Sequence, residues 1–267
     1  MMSTFASRLT RIALLVFAWL LLLFLMVPVL AVIPLSFNSE PFLTYPLAGV
    51  SLRWYEAVLT SSQWMAALKS SLIVGLATVA IATPLGTLAA FGLVRKKMPK
   101  AQLFMGLLLL PMASPLVVVA LALYMFLTRI GLGNSYAGLI IAHSVLATPF
   151  VLITVTASLA GFDFTQIRAG ASLGAKPFRV FRLVILPQIA PGVATGAIFA
   201  FITSWDEIVV ALFVAGPGQR TLPRQMFVGL REELNPSIMV VATIMIAVSV
   251  LLVALGLLLR RRAASKS

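Results

Sequence analysis

"RAGASLGAKPFRVFRLVILPQIAPG", residues 168–192, is the stretch on which the reading turns. It carries four positive charges (Arg168, Lys176, Arg179 and Arg182), glycines at Gly170 and Gly174, and prolines at Pro177 and Pro187. It is too polar to sit in lipid and too patterned to be an idle connector. Long apolar runs flank it, 136–160 before and 189–215 after. A bilayer core takes about 20 apolar residues per helix, so each run is long enough to cross. The stretch is therefore a basic segment strung between two membrane spans.

Four more apolar runs lie outside that pair, at 12–37, 68–94, 103–127 and 238–259. Six spans follow, and none shows the alternation of a β-barrel strand. Of the 267 residues 61% are hydrophobic and 10% charged, and the mean hydropathy is +1.09. A soluble domain is nearer to about 25% charged. The gaps between runs are too short for an independent core. The fold expected is one all-α integral membrane domain over residues 1–267. Its first run exceeds the roughly 7–15 residues of a signal-peptide core, which predicts an uncleaved first span.

The net charge of +13 could suggest a nucleic-acid partner, but its placement argues against one. Lys and Arg concentrate in cytoplasmic loops. With both termini inside, the inner segments hold Arg8, Arg11; Arg95, Lys96, Lys97, Lys100; Arg168, Lys176, Arg179, Arg182; and Arg260, Arg261, Arg262, Lys266, which is fourteen of the 20 basic residues. The topology expected is N-in and C-in, with the loop 161–188 cytoplasmic between spans four and five. Cysteine is absent, so no disulfide framework, iron–sulfur cluster or thiolate zinc site can be built, and with His143 the one histidine and few carboxylates the sequence displays no nucleophile–base constellation. His143 reads as a polar residue satisfied within the helix bundle. No GxxxxGK[ST] phosphate loop occurs, so ATP binding is not expected in this chain.

Within the loop, Asp163 or Thr165 can cap a helix start. Gly174 suits the left-handed residue that ends it, and Pro177 suits the first turn of a second helix. Phe178, Phe181 and the Val184–Ile185 pair recur at helical spacing, and Pro187 is expected to end that helix near the membrane. Two short helices would meet at a glycine elbow. Such an elbow fits a partner's groove as a knob, or rests on lipid headgroups with Arg179 and Arg182 near phosphates.

The segment resembles the EAA loop of the permease subunits of type I ABC importers. The matching residues are Ala169, Leu173, Gly174, Ala175, Phe178, Phe181, Leu186 and Pro187. Arg168 stands where that motif has Glu, and Gly170 where it has its second Ala. "LLLLPMASPLVVVALALYMF", "IIAHSVLATPFVLITV" and "SWDEIVVALFVAGPGQRTLPRQMF" are similar to the spermidine/putrescine permeases in particular. The resemblance implies a permease of the bacterial inner membrane that carries polyamines or a related small organic solute. It implies coupling to an ATPase through Arg168, Ala169, Gly170, Leu173, Gly174, Ala175, Pro177 and Phe178. The partners implied are a second homologous permease, a dimeric ATPase that binds ATP and Mg, and an extracytoplasmic substrate-binding protein on the outer loops, chiefly 216–237.

One acidic pair lies within a span, Asp206 and Glu207 in "FAFITSWDEIVVALF". Buried charges of this kind face a bundle interior or a wet cavity. Gly192, Gly196, Ala200, Thr203, Glu207 and Ala211 form a stripe at helical spacing, and Gly192 with Gly196 permits close helix approach. On a continuous helix Asp206 points about 100° away from that stripe. Asp206 and Glu207, with Phe201 and Trp205, suit a polyammonium substrate through charge and cation–π contact. Glu207 alone reads equally as a structural carboxylate. An alternative is a stand-alone secondary transporter with the acidic pair as ion-coupling site, although no inverted repeat is visible.

Overall fold

The computed structural model describes residues 2–94, 99–232 and 235–264. Arg95, Lys96 and Lys97 of the expected inner turn lie outside the described residues. Regular structure among those described is helical, apart from one isolated bridge between Asn38 and Val50. The chain divides into two compact units, Met1–Ser61 with Gly229–Ile244, and Ser62–Val228 with Met245–Ser267.

In the first unit, α1 (Met2–Leu35) is apolar along most of its length. Its large side chains from Ile12 to Leu30 are exposed, as a lipid-facing helix requires. A short amphipathic helix, α2 (Arg53–Thr60), follows. The Tyr55 hydroxyl lies 2.8 Å from Ser36 Oγ, and its ring packs 5.1 Å from that of Phe37. Tyr45 donates to the Ala31 carbonyl at 2.9 Å. These contacts bind the segment after α1 back onto its end.

The second unit holds α3 (Ser62–Val94), α4 (Ala101–Ala113), α5 (Leu116–Arg129), α6 (Tyr136–Leu159), α7 (Thr165–Ser172), α8 (Pro177–Val180), α9 (Leu186–Trp205) and α10 (Val209–Val214). Two further helices, α11 (Leu222–Glu232) and α12 (Ser237–Ala264), contribute to both units. The kernel is α3, α6 and α9 packed on one another. Lipid offers no hydrophobic drive for helix association, so contact rests on close dispersion packing of small residues. A methyl group at Gly86 of α3 would stand 2.6 Å from the Val151 side chain of α6, and one at Gly196 of α9 would stand 2.6 Å from Thr154 Oγ1. The GxxxG pair on α9 therefore marks a real close approach, and its partner is α6.

Five helices are long and apolar enough to cross a membrane, and a sixth is reached if a bent pair counts as one. That pair is α4 and α5, which corrects the uninterrupted span expected over 103–127. The two bend by 104° at Ser114–Pro115. Ser114 has ψ 148, the extended conformation that a following proline favours. Pro115 has no N–H to continue the ladder. The second correction is that the run 189–215 is not one helix: α9 ends at Trp205 and α10 starts at Val209.

Third, Pro187 ends nothing. From Pro177 the backbone winds through α8 and a π turn (Phe181–Ile185) directly into α9, a continuous helix through Trp205. The amide of Leu186 reaches back to the Phe181 carbonyl, five residues away. That wider turn comes immediately before Pro187, so the ladder changes register where the missing amide would otherwise break it.

Candidate functional site

The loop is built from its caps inward. Asp163 accepts from the Thr165 amide at 2.9 Å and from the Thr165 hydroxyl at 2.6 Å, which satisfies a free donor at the start of α7. These bonds favour the ionised form and hold the Asp163 carboxyl below the usual carboxylate range, with a smaller contribution from the Arg168 charge.

At the other end of α7 the chain closes in a Schellman motif. The Ala175 amide donates to the Gly170 carbonyl at 3.1 Å and the Gly174 amide to the Ala171 carbonyl at 3.0 Å. Gly174 has φ +76, the left-handed conformation that glycine adopts without steric cost. Lys176 is extended (φ −64, ψ 150), as a residue before proline should be, and Pro177 opens α8. The two helices are close: a methyl group on Gly170 would lie 3.1 Å from Val180 Cγ2.

The elbow has a buried base and an exposed tip. Val180 and Ile185 are buried in a cluster with Leu159, Phe162 and Leu93, and the Phe181 ring meets Phe91 edge-on at 5.8 Å. Leu173 and Phe178, on either side of Gly174, are 88% and 74% exposed. Arg168, Lys176, Arg179 and Arg182 are also exposed. The Gln188 side chain donates to Gln166 Oε1 at 2.6 Å and to the Val184 carbonyl at 3.0 Å. It thus pins α7 to the long helix across 22 residues of sequence. No periodicity in the sequence signals that pair.

The acidic pair sits in the break after α9. Because the helix stops at Trp205, the small-residue stripe does not run on to Glu207 and Ala211, and the helical phase expected between the two acids does not hold. Asp206 is exposed and Glu207 is 8% exposed. The Glu207 Oε1 accepts from the Val210 amide at 2.8 Å, which stabilises the start of α10. Trp205 is buried and stacks on Phe201 at 5.5 Å, and Phe201 lies against the backbone of α3 at Gly75. Of the four residues expected at a pathway, Asp206 faces open space, whereas Trp205 and Glu207 are held in the interior.

His143 is buried on α6 and its Nδ1 lies 2.8 Å from Ser204 Oγ on α9. That places a hydrogen bond across the α6–α9 contact, close to the break. Among the described residues no group of three or more His, Cys, Asp or Glu is placed to hold a metal.

Long apolar helices, two of the apolar runs interrupted, with an exposed elbow at the end of one helix, define a multi-pass membrane protein. Residues 82–265 match the family of binding-protein-dependent transport system inner membrane components, and the chain belongs to that family. It is 31% identical over 238 residues to the spermidine/putrescine transport system permease protein PotC of Escherichia coli, covering 89% of this chain and 90% of PotC. It is 33% identical over 230 residues to the putrescine transport system permease protein PotI of the same species, covering 84% of this chain and 82% of PotI. In solved structures it is similar to a chain of a bacterial ABC transporter involved in import of the acidic polysaccharide alginate, with TM-score 0.68, 16% identity, and 94% and 96% of the two chains covered. The protein is a permease subunit of the ABC importer class.

Proposed function

We propose that this chain forms half of the translocation pathway of an ATP-driven importer for putrescine, spermidine or a related small organic cation. A second permease completes the path, a separate dimeric ATPase binds ATP and Mg, and a binding protein delivers substrate to the outer loops, chiefly 216–237. Residues Arg168, Ala169, Gly170, Leu173, Gly174, Ala175, Pro177 and Phe178 form the coupling surface. Both termini are cytoplasmic, consistent with the basic residues counted along the chain.

One observation carries the coupling assignment. The elbow stands at the end of a continuous helix, Pro177 through Trp205, of 29 residues. At 1.5 Å per residue that is about 44 Å, against a hydrocarbon core of about 30 Å. The helix exceeds the core by about 14 Å, enough for its N-terminal end, with the elbow beyond it, to stand clear of the hydrocarbon. That clears a headgroup layer of roughly 5–8 Å. A hairpin lying on headgroups would not be set on such a rod.

The cargo is argued from relatives and residues rather than from the fold, because a chain of the same fold serves an alginate importer. PotC and PotI belong to spermidine/putrescine and putrescine systems. Asp206 supplies an exposed carboxylate at the break after α9, a charge of the sign that attracts a polyammonium substrate. The test is uptake of labelled putrescine and spermidine into vesicles holding this chain with its second permease, ATPase and binding protein. Uptake that depends on ATP and on the binding protein is expected. Uptake driven by an ion gradient without the ATPase would replace this reading with the secondary transporter.

A further inference from the structure

Between the elbow and the break, α6 and α9 border a cavity of about 230 Å³, lined by Thr154, Ala157, Ser158, Pro191, Gly192 and Thr195. It lies toward the loop end of the bundle. Ser158 is the last residue but one of α6, and Thr195 stands ten residues, about 15 Å, before Trp205. Gly192 lets the two helices line it together: a methyl group there would collide with the Ser158 hydroxyl and stand 2.9 Å from the Thr154 carbonyl oxygen. A water needs roughly 10–15 Å³, so the cavity has room for an ammonium group and part of its hydration shell. Its lining holds no charged side chain but three hydroxyls. Thr154 Oγ1 donates to the Phe150 and Val151 carbonyls, both at 3.0 Å, and Thr195 Oγ1 donates to the Pro191 carbonyl at 2.7 Å. Both of those protons are committed along the helices, so the two side chains offer the cavity oxygen lone pairs. An acceptor-rich wall inside a membrane domain matches a ligand that brings N–H donors and positive charge. One turn toward the break, Phe150 and Phe199 stack with centroids 6.3 Å apart, and Phe199 is 41% exposed. The hydroxyls thus continue into aromatic surface, which also attracts cations.

We propose that this cavity is a transient subsite for the ammonium groups of the cargo, occupied after they leave Asp206 at the break and before they pass the loop end of α9. This rests on the importer reading given above and adds to it a site on α6 and α9. Asp206 supplies a full negative charge that draws a polyammonium solute in. Neutral oxygens hold an ammonium group more weakly than a carboxylate does. A site built from them gives up what it takes, as passage through a membrane requires. Thr154 and Thr195 are specificity-determining residues in this scheme, because their oxygens accept from N–H donors and offer an anion no complement.

The chain has no cysteine, so a single one introduced at the cavity reports on it alone within this subunit. Ala157→Cys, an exposed lining position, is placed in the assembled complex in nanodiscs, with reaction at the partner subunits measured on the unmodified complex. The aminoethyl and sulfonatoethyl methanethiosulfonates are compared, each rate taken relative to that with a free thiol. The ammonium reagent is expected to react about tenfold faster than the sulfonate, and spermidine supplied with binding protein and ATP to slow it. Thr154→Val with Thr195→Val keeps the shape and removes both oxygens. It should bring the ratio of rates near one and raise the KM for labelled spermidine, with the thermal midpoint and the ATP dependence of uptake unchanged. Equal rates for the two reagents would overturn the subsite, and so would a cysteine that neither reagent reaches, because lipid or the second permease then covers it. A ratio that spermidine leaves unaltered, or that responds instead to phosphatidylethanolamine in the nanodisc, would assign the cavity to a lipid headgroup and overturn the inference. Uptake by the unmodified complex without ATP or binding protein would overturn the importer reading instead, a result the reagent ratio does not touch.

Discussion

Glu207 shows how one side chain can be placed correctly for the wrong reason. A buried carboxylate was legible from its position on a small-residue stripe, but that stripe assumed an unbroken helix. The carboxylate is buried because it bonds the Val210 amide at the start of α10. A side chain that captures a nearby amide offers the backbone an alternative to helix, and no spacing rule reveals that it has done so. The consequence is testable. Glu207→Gln keeps an acceptor oxygen and should leave the thermal midpoint of the purified complex nearly unchanged. Glu207→Ala loses the cap and should cost about 1–2 kcal/mol, read as a lowered midpoint. Equal losses in both would show that charge, and not capping, holds Glu207. Gly196 stood out in the sequence through its spacing from Gly192, and there the reading matched the structure. Gly196→Ala presses on Thr154 and on the Val151 backbone, and should destabilise by about 1–3 kcal/mol where Ala194→Gly does not produce a clash.

At the scale of elements, the apolar runs located the spans because length and hydropathy are additive properties of a window. What interrupts a span is local and was read less well. Pro115 follows Ser114 within an otherwise apolar run, and the dipeptide turns the chain by 104°. Pro187 sits in the same kind of context and turns nothing, because a π turn absorbs it. The two prolines differ in the backbone register before them, which composition does not encode. The start of α7 was legible, since Asp163 two residues before Thr165 is an ordinary capping arrangement. Its carboxyl is held below the usual carboxylate range, so the bonds contribute at pH above the unfolded value and are lost as pH falls through the lower, folded one. The protection of the Thr165 to Ile167 amides, taken relative to the intrinsic exchange rate at each pH, is expected to fall as pH drops below the carboxylate range, and to be insensitive to pH over the same interval in Asp163→Asn. A flat profile in the unmodified protein would mean that the cap does not hold α7 in solution.

For the whole molecule, the decisive feature is that the elbow and the acidic break are opposite ends of one helix. The sequence divided this helix into a loop and a span, because Arg182 and Pro187 look like a boundary. The structure joins them, and a push on the elbow then moves α9 as a body. A tethered loop and a rigid rod differ in how they respond to a change of register. Leu183 is an exposed residue within the π turn, 61% accessible, and its side chain is not needed for packing. Removing Leu183 alone would only close the five-residue π turn to an α turn, so the register change is made by deleting Arg182 and Leu183 together, which rotates everything before them by about 100° about the helix axis. Leu173, Phe178 and the flanking cations would then face the wrong direction while α9 keeps its contacts with α3 and α6. The deletion should leave the chain inserted and associated with its second permease, and abolish stimulation of the ATPase by substrate-loaded binding protein. Leu183→Ala, which keeps the register, should retain stimulation near the unmodified level. If the deletion is tolerated as well as the substitution, the loop is a flexible tether, and force reaches the acidic break by some route other than this helix.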